Sequence, residues 1–112
     1  MISRSFKTEK ALDNPHKVEL HQLYNDESAQ LMHITLQPGE KLLPHKTPVD
    51  VAFYVLEGTP TIHIGDKEET FEKDTLIESP ERITHWLSNQ SETVARVLVL
   101  KAPRPTTSTQ LL

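Results

Sequence analysis

The stretch Pro38-Gly39-Glu40-Lys41-Leu42-Leu43-Pro44-His45-Lys46-Thr47-Pro48-Val49-Asp50-Val51-Ala52-Phe53-Tyr54-Val55-Leu56-Glu57-Gly58 decides how the chain is read. It opens on a Pro-Gly turn, passes through a polar segment that holds one histidine, enters an apolar run from Val51 to Leu56 and closes on Glu57-Gly58. Valine, leucine and aromatic residues packed into a short run between turn formers are the pattern of a buried strand.

The same punctuation continues on both sides. Further strand-like runs cover Val18 to Tyr24, Gln30 to Leu36, Thr61 to Ile64, Thr75 to Glu78, Ile83 to Ser88 and Thr93 to Lys101. Asn25-Asp26, Gly65-Asp66, Lys73-Asp74, Ser79-Pro80 and Asn89-Gln90 separate them. Turns at intervals of roughly eight to twelve residues suit an antiparallel sandwich or barrel. No segment sustains a helical apolar stripe; only Ala11 to Asn14 and the first ten residues are expected to add a helical turn or an arm. The chain divides into an N-terminal arm over residues 1–17, a β-barrel over 18–102 and a tail over 103–112. Pro103 and Pro105 stop the last strand, and the tail is expected to be mobile unless a partner holds it.

Composition narrows the functional classes. A chain of 112 residues makes one domain, and a domain this small gains from partner surface, so a homodimer is expected. The formal net charge is −4, with no Lys/Arg block longer than two, which argues against nucleic acid as a partner. There are no cysteines, so any metal must be held by nitrogen and oxygen. Neither a leader nor an apolar run of about 18 residues is read, giving an expectation of a cytoplasmic protein without a membrane partner. With three glycines there is no phosphate-cradling loop and no Gly-x-Ser-x-Gly elbow, so neither a nucleotide nor a flavin is expected.

The segment Pro38 to Gly58 resembles the first motif of the cupins, with Gly39, His45 and Gly58 on its glycine, histidine and glycine positions. The segment Asp74 to Asn89 resembles the second, with Pro80, His85 and Asn89 in place. Fifteen residues lie between the two segments, a length that fits a tight barrel, and motifs with flanking strands cover residues 30 to 100. The resemblance implies an all-β fold, a small antiparallel double-stranded jelly roll of the cupin 2 conserved-barrel type, with an inward-facing site around His45 and His85.

The departures bear on function. Thr47 stands where the first motif has its second histidine and Val51 where it has its glutamate, so two of the family's four metal ligands are absent. Asp50 is next to the lost glutamate position but on the wrong parity of a strand. Asp74 and Arg82 replace the glycines of the second motif. Aspartate tolerates a left-handed turn without further function, and Arg82 is read as a surface residue, with a reach toward an anionic ligand as its functional alternative.

A replacement ligand is sought in His33. In the run Gln30 to Leu36, Leu31, His33 and Thr35 share one face and Met32, Ile34 and Leu36 the other. In similar cupins the polar parity of that strand points into the barrel mouth, which implies three histidines, His33, His45 and His85, around a divalent Zn, Ni, Fe or Mn ion. Val51, Phe53, Leu87, Thr47 and Thr35 are the expected pocket lining. His16 and His21 carry no spacing signal, and His63 stands on the face opposite Ile62 and Ile64, as a solvated or interface histidine, so all three are left outside, and Trp86 is read as a core or interface residue.

Two functions follow. One is a metal-dependent enzyme acting on a small organic substrate, its reaction and catalytic residues unassigned. The other is a non-catalytic small-molecule binding or sensor protein that has lost metal chemistry. Val51 favours the second and His33 the first, and the direction of His33 separates them.

Overall fold

The computed structural model of the protein describes residues 1–111. Ten strands follow one another: β1 (Glu19–Asp26), β2 (Ala29–Leu36), β3 (His45–Lys46), β4 (Val51–Glu57), β5 (Thr61–Ile64), β6 (Lys67–Thr70), β7 (Leu76–Ser79), β8 (His85–Ser88), β9 (Ala95–Lys101) and β10 (Gln110–Leu111). They form two antiparallel five-stranded sheets, ordered β1-β2-β9-β4-β7 and β10-β3-β8-β5-β6. After the two hairpins, β1-β2 and β5-β6, the chain crosses between the sheets at nearly every connection. That alternation winds the sheets into the jelly roll anticipated from the sequence.

The core lies between the sheets. Val51, Phe53 and Val55 of β4 and Ala95, Val97 and Val99 of β9 point inward, joined by Ile34 and Leu36 of β2 and by Ile62 and Leu87 from the facing sheet. Leu36, Val55, Leu87 and Val97 are 0% exposed, and burial of each such side chain contributes about 1.5–3 kcal/mol before entropy is counted. Asn89 ties the two motif segments together. Its side-chain amide donates to the Leu36 and Thr93 carbonyls, its backbone N–H to Glu40, and its carbonyl accepts from Gly39.

Several expectations change. Of the two segments read for a helical turn, Ala11 to Asn14 forms none, and the turn falls within the first ten residues, where the Ser5 carbonyl accepts from the N–H groups of Thr8 and Glu9. The first hairpin turns at Glu27-Ser28, one step beyond Asn25-Asp26, which extend β1. The C-terminal tail is held by the chain itself: Gln110 pairs with Lys46 and Leu111 with His45. Strand β3 otherwise pairs only with β8, so its free edge accepts β10. No helix among the described residues is long and apolar enough to cross a membrane.

Asp74 and Arg82 explain how the second motif tolerates losing its glycines. Both adopt left-handed backbone, with φ of 65° and 62°. Arginine gains nothing from that conformation, and its side chain is exposed. Gly58, at φ 76°, is a stricter case, because a β-carbon there would collide with the carbonyl of Val94 and stand 2.9 Å from Ala95 Cα. Gly58→Ala is therefore expected to destabilise the protein by about 2–4 kcal/mol. Arg82→Gly should stabilise it by about 0.5–1 kcal/mol, left-handed strain being relieved against added chain entropy. Urea unfolding of both variants checks the pair of signs.

Candidate functional site

Strands β3 and β8 meet at one residue pair, His45 opposite His85. Antiparallel partners project to the same face, so both rings enter the barrel, with centroids 4.7 Å apart and planes at 77°. Phe53 meets His85 edge-on at 5.3 Å from the facing sheet.

Each imidazole is fixed by identifiable partners. His85 Nδ1 is 2.6 Å from Ser79 Oγ and its Nε2 is 3.1 Å from Thr47 Oγ1, so both nitrogens are engaged by hydroxyls. His45 Nδ1 donates to the Leu43 carbonyl at 2.7 Å, which leaves Nε2 as the bare acceptor of the neutral ring. His16 belongs to the same cluster: its ring lies 5.1 Å from that of His45, and its Nδ1 accepts from the Leu43 N–H at 2.8 Å. Residue Leu43 thus orients two rings through its own backbone.

The site is buried and positively biased. Burial lowers the pKa of His85 to about 3, assisted by His45 and Lys101, and that of His16 to about 4, with the same two groups adding to burial. Burial also lowers His45, partly offset by its bond to the Leu43 carbonyl. Lys101 closes the inner face of β9: it pairs across the sheet with Val51 and Gln30, so it projects inward as Val51 does. Burial depresses its own pKa, with no carboxylate acting against the shift.

Of the residues expected to form the site, His45, His85, Thr47 and Phe53 are brought together, and Val51 and Leu87 lie in the adjoining apolar core. His33 and Thr35 are not. They occupy the outer face of β2, the inner face being Ile34 and Leu36. The polar parity is buried there because the N-terminal arm covers it. Phe6 stacks on His33 at 4.3 Å and 5°, with the Arg96 guanidinium 4.8 Å from the Phe6 centroid. Arg96 Nη1 donates to His33 Nε2 at 3.0 Å and its Nε to Glu57 at 2.7 Å, while Thr35 Oγ1 donates to Glu19 at 3.5 Å. The three-histidine centre is therefore not formed. No group of three or more histidines and carboxylates among the described residues is placed to hold a metal ion.

Lys101, His16 and Ser79 were missed. Lys101 had a signal, since it continues the inward alternation Ala95, Val97, Val99. His16 had none, because only the folded path of the arm carries it to Leu43. His63 lies on the outer face as expected, but it is covered, its ring stacked 3.6 Å from Trp86 and hydrogen-bonded to Ser88.

Comparison with known proteins agrees with this architecture. The profile of the family described as Cupin domain matches residues 32–101. An uncharacterized protein of Methanocaldococcus jannaschii is 25% identical over 87 residues, covering 77% of this chain and 75% of its own length. Among solved structures, a protein of Thermus thermophilus superposes with a TM-score of 0.80 at 27% identity, over 94% of this chain and all (100%) of that one. The polyketide cyclase RemF of Streptomyces resistomycificus superposes with a TM-score of 0.83 at 19% identity, over 100% of this chain and 86% of that one, a likeness of fold alone.

Acid should expose the buried neutral rings. His16, His33 and His85 titrate near 6.5 when unfolded and at about 4, about 4 and about 3 in the folded protein. Below pH 6.5 the unfolded chain takes up protons that the folded chain refuses. Stability is therefore whole above that value and declines as pH falls toward the folded values. Urea midpoints measured at about pH 7.5 and about pH 5 are expected to be clearly lower at the acid value; equal midpoints would mean that the rings are not held neutral.

Proposed function

Because this chain belongs to the cupin domain family, its profile match spanning residues 32–101, we propose that the barrel mouth binds a small organic molecule directly against His45 and His85, without a metal ion. The observation that carries this reading is the engagement of His85. A ring whose two nitrogens both bond hydroxyls has no lone pair to give a metal without breaking one of those bonds. His45 offers a single free nitrogen, the remaining family ligand positions are Thr47 and Val51, and the formal charge that acts on His45 is the cationic Lys101. That donor set does not fit a transition ion. An organic ligand suits it better: Thr47, Ser79 and His45 Nε2 offer hydrogen bonds, and Phe53 and Val51 offer apolar contact.

One observation favours a catalytic use of the same site. With its proton held on Nδ1 by the Leu43 carbonyl, neutral His45 presents Nε2 as an acceptor, the arrangement a general base requires.

Elemental analysis of protein purified without an affinity tag tests the metal-free reading. Transition metal is expected well below about one equivalent per chain, with Tm unchanged on adding Zn(II), Ni(II) or Fe(II). A full equivalent that disappears in His45→Ala would overturn it. Separately, titration with small aromatic fragments should shift the imidazole resonances of His45 and His85 together. Fragments that bind elsewhere and leave both rings unmoved would remove the small-molecule assignment.

A further inference from the structure

The charge around the barrel mouth runs against that of the chain. Two depressions open there on either side of the C-terminal tail. One, of about 330 Å³, is lined by Gln30, Lys101 and Arg104 together with Asn25 and tail residues. The other, of about 300 Å³, is lined by Lys46, Thr47 and Arg82 and by the tail from Thr107 onward. Thr107 borders both, so the tail runs between them. Four cationic residues line the pair, and none of the 16 acidic residues in the sequence does. Three further depressions among the described residues each carry carboxylates, Glu68 and Glu69 beside Lys67, Asp50 and Glu78, and Glu9 and Asp26 beside Arg4. In a chain of formal net charge −4, the mouth is the cationic exception.

Lys101 connects this surface to the imidazoles. It lines the first depression, yet its strand register turns it inward beside Val51, and it acts electrostatically on His16, His45 and His85. Among the described residues no ion pair includes it. A half-buried ammonium without a carboxylate is unfavourable in the empty protein, and an arriving anion relieves that penalty. The neighbouring rings are neutral at physiological pH, so the charge to be matched is that of Lys101, supported from the rim by Arg104.

We propose that the ligand of the barrel mouth is an organic anion whose carboxylate pairs with Lys101 while its body rests against His45 and His85. The proposal rests on the small-molecule reading above and adds the class of ligand. It also gives Lys101 the role of specificity determinant: a neutral molecule of the same shape leaves the ammonium unpaired and is rejected for that reason.

Benzoate and benzamide are suitable probes, being nearly equal in shape and different in charge. Binding to the full-length protein is followed by the imidazole resonances of His45 and His85. Benzoate is expected to shift both rings saturably, with a Kd at least about tenfold below that of benzamide. Lys101→Met should abolish that preference, and Lys101→Arg should retain part of it. Lys101→Met should also raise Tm, because an unpaired buried ammonium is removed and its apolar stem kept. A fall in Tm would assign Lys101 to holding the fold and overturn the proposal. Benzamide binding the wild-type protein as tightly as benzoate would overturn the pairing with Lys101 yet leave the small-molecule site standing, and this comparison needs no variant. Neither probe reaching the rings would overturn both.

Discussion

The register of β9 is the constraint on which the site and the core both depend. This strand lies at the centre of its sheet, paired with β2 on one side and β4 on the other. Its alternation sends Ala95, Val97 and Val99 into the core and leaves Lys101 at the end of the same row. A slip of one residue would exchange Ala95, Val97 and Val99 for Arg96, Leu98 and Leu100 and would turn the lysine outward. The apolar stabilisation of the barrel therefore also fixes a cation at its mouth. The energy that holds Lys101 in place comes from its neighbours, and none of it need come from Lys101 itself.

On the facing sheet the equivalent constraint is a single residue pair. His45 and His85 are opposed in a strand pairing so short that it relies on what surrounds it: the bridge from Lys41 to Ser88, the backbone bonds of Asn89, and β10 on the outer side. The rings are held by backbone and hydroxyl groups in place of carboxylates. Carboxylate partners would raise imidazole basicity further than hydroxyls or a carbonyl do, so burial prevails and the rings stay neutral. Neutral imidazoles next to Lys101 put one ammonium at a defined point inside a mouth whose rim carries Lys46, Arg82 and Arg104.

The sequence made the barrel and the histidine pair readable because both rest on spacing. Turn residues recur at intervals that only short strands satisfy, and His45 and His85 occupy positions in two recognisable segments. His33 and Thr35 were misplaced for a physical reason. In β2 one face meets the core and the other meets the arm, so both are buried, and polarity does not distinguish inside from outside. The partner that decided the matter, Phe6, lies in a segment without periodicity. Lys101 went unnoticed for the opposite reason: a lysine at a strand end reads as a solvated terminus, although its parity with Val97 and Val99 was available. Arg82 and Asp74 show that the glycine positions of the second motif demand a backbone conformation, which other residues supply under strain.

The pairing of β10 with β3 bears on the kinetics of access to the barrel. Its ladder consists of Gln110 with Lys46 and Leu111 with His45, both tail residues exposed. Opening so short a strand takes only a small part of the free energy of global unfolding, and chain segments of this kind move in nanoseconds to microseconds. A docked tail that departs so readily limits neither entry to the barrel nor escape from it, so exchange at the mouth is governed by the contacts a ligand makes there and not by the strand that borders it.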